Sequence, residues 1–198
     1  QPRIDDLADT YVAKMRELGG ECDFAKDIAQ PFTLRVIMEI FGVPASDEAL
    51  MLELTQGMFG AGDPEFMGDL TDPGQVILNS VMKFINYFDE ITNDRRANPT
   101  DDLATLIATV PPGGCPMGDA GRLWYYMIIA TAGHDPTSYA LAGSVEALLK
   151  DVDQLWALRG DEGAAANAAE EAVRYTAPVR HFMRYATRDT EVAGVAVP

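Results

Sequence analysis

The stretch 119–150, DAGRLWYYMIIATAGHDPTSYALAGSVEALLK, decides the fold. Leu123, Met127, Ala130, Leu141, Val145 and Leu148 recur at steps of three and four, so they share one face of a helix. His134 and Thr137 fall on that same face, between Ala130 and Leu141. The opposite face, Ile128, Ala132 and Pro136, is small or apolar. A helix apolar on both sides belongs in the interior of a protein. Its middle, Ala132-Gly133-His134-Asp135-Pro136-Thr137-Ser138, reads as a break in this pattern. In a helix interior Gly costs about 1 kcal/mol and Pro about 3 kcal/mol. Local rules broken at one buried spot mark function. The competing account is a proline kink in a core helix, with a satisfied His and Asp beside it.

Composition narrows the classes. A chain of 198 residues is long enough for one domain with a real core. Thirty-one acidic against fifteen basic residues give a net charge of -16. That balance argues against nucleic acid or an anionic membrane as a partner. The longest apolar run, Leu123 to Ala132, is too short to span a bilayer. Cys22 and Cys115 lie far apart and form no Cys-x-x-Cys pair, which fits a reducing cytoplasm. The chain opens on Gln1 and stops at Pro198 just after a strand-like run, so both ends read as cut.

Outward from the central stretch, the chain reads as helix after helix. Ile4, Leu7, Tyr11, Met15 and Leu18 form a first amphipathic helix, stopped by Gly19-Gly20. Phe32 to Phe41 is a second, with Pro31 near its first turn and Gly42 at its end. Ser46 is expected to cap a third, to about Phe59. Residues 60–73, rich in Gly, Pro and acid, read as a loop carrying Phe66 and Met67. A long helix follows through Ile77, Val81, Phe84, Phe88 and Ile91, and a short one after a cap at Asp101. Beyond the central helix come a short helix near Trp156 and another ending near Tyr175. His181 to Tyr185 and Thr190 to Val197 read as strands, with the turn at Arg188-Asp189. The fold class is therefore mainly α with a small β element at the C-terminal end.

Three signals carry chemistry. The first is the Ala-Gly-His-Asp-x-Thr-Ser run in the central helix. The second is Glu171-Ala172-Val173-Arg174, a carboxylate and a guanidinium three apart on one helical face. The third is Phe182-Met183-Arg184 after Pro178, where Arg184 in an apolar run can clamp a carboxylate. The second and third are weak alone, with a solvated surface contact as the plainer reading. Their order and spacing resemble the cytochrome P450 family. The resemblance covers essentially all of residues 1–198, as one partial domain running from the fourth to the eleventh main helix of that fold. The wording at 129–135 and at 176–184 is similar to soluble bacterial members that oxidise terpenes and related hydrocarbons.

The resemblance implies haem b as cofactor, with dioxygen, a small apolar substrate, and a ferredoxin with its reductase as electron donors. It implies no nucleic acid or membrane partner and a cytoplasmic location. Ala132 and Gly133 would leave room for dioxygen above the haem, with Pro136 alongside. Asp135 would be the acid of the proton-delivery path, with Thr137 nearby. Arg184 would contact a haem propionate. Glu171 and Arg174 would be a buried structural ion pair, costly to break singly. Ile128, Thr131, Ala132, Val179 and Phe182 would line the substrate pocket. Phe59, Phe66 and Met67 would form its lid.

The sequence departs from the family pattern twice. The family commonly has Thr directly after the acid, and here that residue is Pro136. Thr137 is about 100° further around the helix, so it is no simple substitute. The family also needs a Cys thiolate in a Phe-x-x-Gly-x-x-x-Cys-x-Gly loop. Neither cysteine fits: Ala108 stands seven before Cys115, Met117 two after it, and Cys22 lies between two helices. Residues 1–198 are thus expected not to catalyse alone. A helical binding or interaction module with no redox role is the alternative.

Overall fold

The computed structural model describes residues 2–59, 72–109, 118–159 and 161–197. Helix α1 is Pro2–Glu17, α2 Gln30–Phe41, α3 Glu48–Phe59, α4 Pro73–Ala97 and α5 Leu103–Thr109. The central helix, α6, is Asp119–Lys150, followed by α7 Val152–Ala157 and α8 Glu162–Thr176. A hairpin of β1, Thr190–Val192, and β2, Val195–Val197, comes last. The expected loop residues Phe66 and Met67, and Cys115, lie outside the described residues.

Local chemistry accounts for the ends of these elements. In α2, Pro31 sits in the first turn, where its missing N–H is not needed. Gly42 ends the helix in the left-handed region at φ 68°, and its N–H donates to the Glu39 and Met38 carbonyls. The carboxylates of Asp72 and Asp161 accept backbone N–H groups at the starts of α4 and α8. Arg95 and Arg96 lie in the last turn of α4, where positive charge suits the helix dipole.

Several expectations need correction. A π-helical turn, Phe24–Ala29, precedes α2, capped by Asp23, whose side chain accepts the Lys26 N–H. Ser46 lies inside a 3₁₀ turn and donates to Asp47 Oδ1 at 3.0 Å, so it caps nothing. The residue that caps α5 is Asp102, whose Oδ1 accepts the Thr105 N–H at 2.7 Å. The central helix runs unbroken through Pro136, so its odd middle is a chemical feature and not a gap in the helix. Residues 181–185 form no strand, because no described strand lies beside them to share hydrogen bonds. The hairpin turns at Ala193-Gly194, both at positive φ, instead of at Arg188-Asp189. That is the backbone a two-residue turn between twisted strands requires.

The core forms where α2, α3, α4, α5 and α6 meet. Leu34, Ile37, Met38 and Phe41 from α2 face Met51 and Leu54 from α3, Phe84 and Phe88 from α4, and Tyr126 and Ala130 from α6. Phe88 stacks on Tyr126 with ring centroids 4.7 Å apart. The Tyr126 hydroxyl donates to the Ala104 carbonyl at 3.0 Å and accepts from Thr92 Oγ1 at 3.3 Å, so its polar end is satisfied inside. On α6 the buried stripe is Tyr126, Ala130 and His134, at steps of four. Thr137, expected on that face, is exposed: the stripe ends at His134, and burial resumes at Ala140.

Candidate functional site

Helix α6 separates two environments at its middle. On one side His134 is fully buried against α2 and α3. Its Nδ1 lies 2.9 Å from Thr55 Oγ1 and 3.3 Å from Asp135 Oδ1. Burial lowers the His134 pKa, opposed by the Asp135 charge and by the Gln30 backbone carbonyl. Burial likewise raises the Asp135 carboxyl above its usual range, with His134 opposing. Both neighbours are therefore pushed toward neutral forms. Asp135 keeps 31% of its side-chain surface, so it is an acid at the boundary between interior and solvent.

On the other side α6 presents an apolar stripe. Ile128 is 63% exposed, Ala132 is exposed four residues on, and Pro136 is half-buried after another four. Thr131, expected in the pocket wall, is buried, and its hydroxyl donates to the Met127 carbonyl of its own helix at 2.7 Å. It offers the pocket no polar group. Gly133 faces α2: a Cβ there would stand 2.1 Å from Ile37 Cδ1 and 2.8 Å from its Cγ1. The glycine is thus required by helix packing, while Ala132 is the small residue on the open stripe. Since Ile37 is itself in the core, Gly133→Ala is expected to destabilise the protein by about 1–3 kcal/mol through overpacking. Chemical denaturation checks this, with Ala132→Gly as a comparison that introduces no such clash.

The C-terminal segment leaves α8 close to α6. A Cβ on Gly143 would stand 2.8 Å from Thr176 Cγ2, at the last residue of α8. From there residues 177–186 run outside helix and sheet, with Val179 46% and Phe182 77% exposed. Arg184 is exposed, lies 5.8 Å from the Phe182 ring centre and donates to the Met183 carbonyl at 2.9 Å. It pairs with no carboxylate among the described residues. Glu171 and Arg174 do pair, in a two-pronged ion pair with Arg174 Nε 2.6 Å from Glu171 Oε2. The pair is exposed, at 58% and 69%, so the expected burial does not hold: no described element covers that side of α8. Phe59 is the last residue of α3.

Sequence reading missed Thr55 and Ile37. Ile37 was visible only as one more apolar residue on α2. A hydroxyl between Met51, Leu54 and Met58 on an apolar helix was the available hint for Thr55.

The body is mainly helical, and its long central helix sets a small residue and a half-buried acid beside an exposed apolar stripe. No protein-family model matches the chain. Cytochrome P450-terp from Pseudomonas sp is 37% identical over 200 residues, covering 98% of this chain and 47% of that protein. Steroid C26-monooxygenase from Mycolicibacterium smegmatis is 30% identical over 195 residues, covering 96% of this chain and 47% of that protein. The crystal structure of CYP108D1 from Novosphingobium aromaticivorans superposes with a TM-score of 0.84 at 40% identity, covering 98% of this chain and 45% of that one. The chain belongs to the cytochrome P450 family and carries part of its fold. It spans about half the length of the relatives it matches.

The family implies a haem, and the residues present fit its distal side. Ala132 adds nothing beyond a methyl at the middle of the stripe, and Ile128 would supply apolar contact. The Arg184 guanidinium has no carboxylate partner among the described residues and would suit a propionate. Neither Cys22 nor Cys115 lies in the family's Phe-x-x-Gly-x-x-x-Cys-x-Gly pattern.

Proposed function

We propose that the protein carrying this chain is a haem-thiolate monooxygenase. It inserts one atom of dioxygen into a small apolar substrate such as a terpene or an aromatic hydrocarbon. Haem b supplies the oxygen activation when bound. A ferredoxin and its reductase supply the electrons, and no nucleic acid or membrane is involved. No described helix is long and apolar enough to cross a membrane. Residues 1–198 contribute the distal wall and the proton path. They do not catalyse by themselves, because the thiolate loop lies outside them.

The observation that carries this reading is Asp135, a half-buried acid raised by burial, three residues from exposed Ala132. A carboxyl whose protonated form is favoured by burial, at the edge of an apolar site, can accept a proton from solvent and pass it inward. Ile128, Val179 and Phe182 exclude water from the substrate side and offer it apolar contact. Pro136 has no N–H, so the Ala132 carbonyl loses its helical donor and becomes an acceptor for water or a substrate hydroxyl. The apolar substrate class is supported by the exposed stripe and by the steroid named for one relative.

The test uses the full-length protein. Its reduced, carbon-monoxide-bound spectrum is expected to show a thiolate-ligated haem, and a terpene is expected to be hydroxylated with ferredoxin and reductase present. Asp135→Asn is expected to leave that spectrum intact and lower turnover by about 10²-fold. Absence of the thiolate signature overturns the monooxygenase reading. Unchanged turnover in Asp135→Asn overturns the proton role. Pro136→Thr places a hydroxyl beside the acid, and the hydrogen peroxide released per electron pair is expected to fall. An unchanged peroxide yield would show that Pro136 does not shape the path.

A further inference from the structure

We infer that His134 is a positioning residue that couples the Asp135 carboxyl to helix α3 through Thr55. The inference rests on the proton role proposed for Asp135.

The geometry allows His134 Nδ1 only one strong partner at a time. Thr55 Oγ1 lies 2.9 Å from it and Asp135 Oδ1 lies 3.3 Å from it, on opposite sides of the sequence. The Thr55 hydroxyl has a single proton and two other acceptors in reach, the Met51 carbonyl at 3.0 Å and the Leu52 carbonyl at 3.1 Å. When that proton goes to a carbonyl of its own helix, Thr55 accepts from Nδ1–H. Nε2 is then a bare, fully buried acceptor with no donor. When Thr55 instead donates to Nδ1, the ring carries its proton on Nε2, and the Gln30 carbonyl is the polar group that acts on it. A protonated Asp135 can donate to the same Nδ1 lone pair and so displaces Thr55. The ring is therefore shared between an acid and a helix, and it cannot serve both fully.

Among the described residues no other charged group acts on the pair: Asp135 is the charge felt by His134, and His134 the charge felt by Asp135. From α2, Thr33 Oγ1 donates to the His134 backbone carbonyl at 3.3 Å, and the Gln30 carbonyl is the uncharged group that acts on the ring. Thr55 lies inside α3 and bonds the Met51 and Leu52 carbonyls of that helix, so a change in its bond to His134 acts on α3. His134 thus places the acid and at the same time reports its protonation to α3.

The test compares Thr55→Val, which keeps the volume and removes the hydroxyl, with Thr55→Ser, which keeps the hydroxyl. Both are made in the full-length protein. Two quantities are read: amide hydrogen exchange of α3 from Leu52 to Met58, and hydrogen peroxide released per electron pair. Thr55→Val is expected to speed α3 exchange at least about tenfold and to raise the peroxide yield at least about twofold. Thr55→Ser is expected to restore both. His134→Asn, which keeps a polar atom near the Nδ1 position, is expected to lie closer to wild type than His134→Leu in both readouts. Faster exchange with unchanged peroxide yield means a structural hydrogen bond only and overturns the inference. A changed peroxide yield with unchanged exchange also overturns it, because the effect then does not pass through α3. If Asp135→Asn itself leaves turnover unchanged, the proposed proton role fails and this inference fails with it. If Asp135→Asn lowers turnover while Thr55→Val behaves as wild type, this inference alone fails.

Discussion

Phe88→Ala is expected to destabilise the protein by about 3–5 kcal/mol, the range for removing a buried phenylalanine ring from a core. Phe88 is fully buried. Its ring touches four others, with centroids 4.4 Å from Phe84, 4.7 Å from Tyr126, 5.3 Å from Tyr87 and 5.4 Å from Phe41. Those rings come from α2, α4 and α6, so the cavity opens where three helices meet and cannot be closed by moving one of them. Refilling is also hindered because Tyr126 is held by its hydroxyl to Ala104 and Thr92. Tyr126, Ala130 and His134 share one stripe of α6, so loosening the ring stack weakens the seat of the helix that carries the site. The measurement is the midpoint of chemical denaturation together with near-ultraviolet circular dichroism of the aromatic cluster. Phe88→Leu keeps most of the apolar bulk and is expected to lose a smaller share. Equal stability of wild type and Phe88→Ala would mean that the cluster is not what holds α4 to α6.

The elements of this fold were legible in the sequence wherever one helix face carried a repeating apolar pattern. The bounds of α6 follow from its own spacing, and α2 is framed by Pro31 and Gly42. In α4, Phe84 and Phe88 were visible as stripe residues, but Val76 is buried where Ile77 was expected, because the buried stripe Val76, Phe84, Phe88 and Thr92 runs at multiples of four and not at a step of seven. The tail was read less well. Alternation at 181–185 expresses a preference for strand, and a strand needs a neighbour to pair with. At 190–197 a left-handed alanine and a glycine complete a hairpin that the sequence alone did not locate. At the site, Ile128 and Ala132 are exposed and Asp135 keeps part of its side-chain surface. The direction in which Gly133 faces was invisible, because a glycine that leaves room for a ligand and one that leaves room for a neighbouring helix look the same in one chain. Thr55 escaped for a similar reason: its partner lies 79 positions away, and nothing local announces the contact.

Asp102→Ala is expected to cost about 3 kcal/mol, toward the lower end of the range for stripping one partner from a buried ion pair. Asp102 and Arg95 keep only 5% and 12% of their side-chain surface, yet they lie just beneath the surface, which moderates the penalty. Arg95 Nε donates to Asp102 Oδ2 at 2.7 Å and Nη2 donates to the Gly42 carbonyl at 2.7 Å. One guanidinium therefore ties the end of α2 and the start of α5 to α4. Burial alone would raise the Asp102 carboxyl. Hydrogen bonds from the Thr100 hydroxyl, the Thr105 N–H and Arg95 outweigh it and hold the carboxyl below its usual 3.8. A depressed folded-state value means the contribution is complete above the unfolded carboxyl's range and is lost as pH falls through the folded value. The stability gap between wild type and Asp102→Ala is thus expected to be constant from neutral pH down to about pH 5 and to shrink in stronger acid. Gly42→Ala reaches the same network from the other side. Its new Cβ would stand 2.1 Å from Asp102 Oδ2, and its φ of 68° costs an alanine about 1–2 kcal/mol. The clash displaces the carboxylate from Arg95, so part of the Asp102 contribution is lost in the single variant. Once Asp102 is already alanine, only the backbone strain and any residual contact with its Cβ remain. The double variant is therefore expected to lose less than the sum of the two single losses, as residues sharing one network do. Strict additivity in a denaturation cycle would mean that the left-handed glycine and the buried carboxylate act independently, and that the 2.1 Å approach does not govern the effect of the substitution.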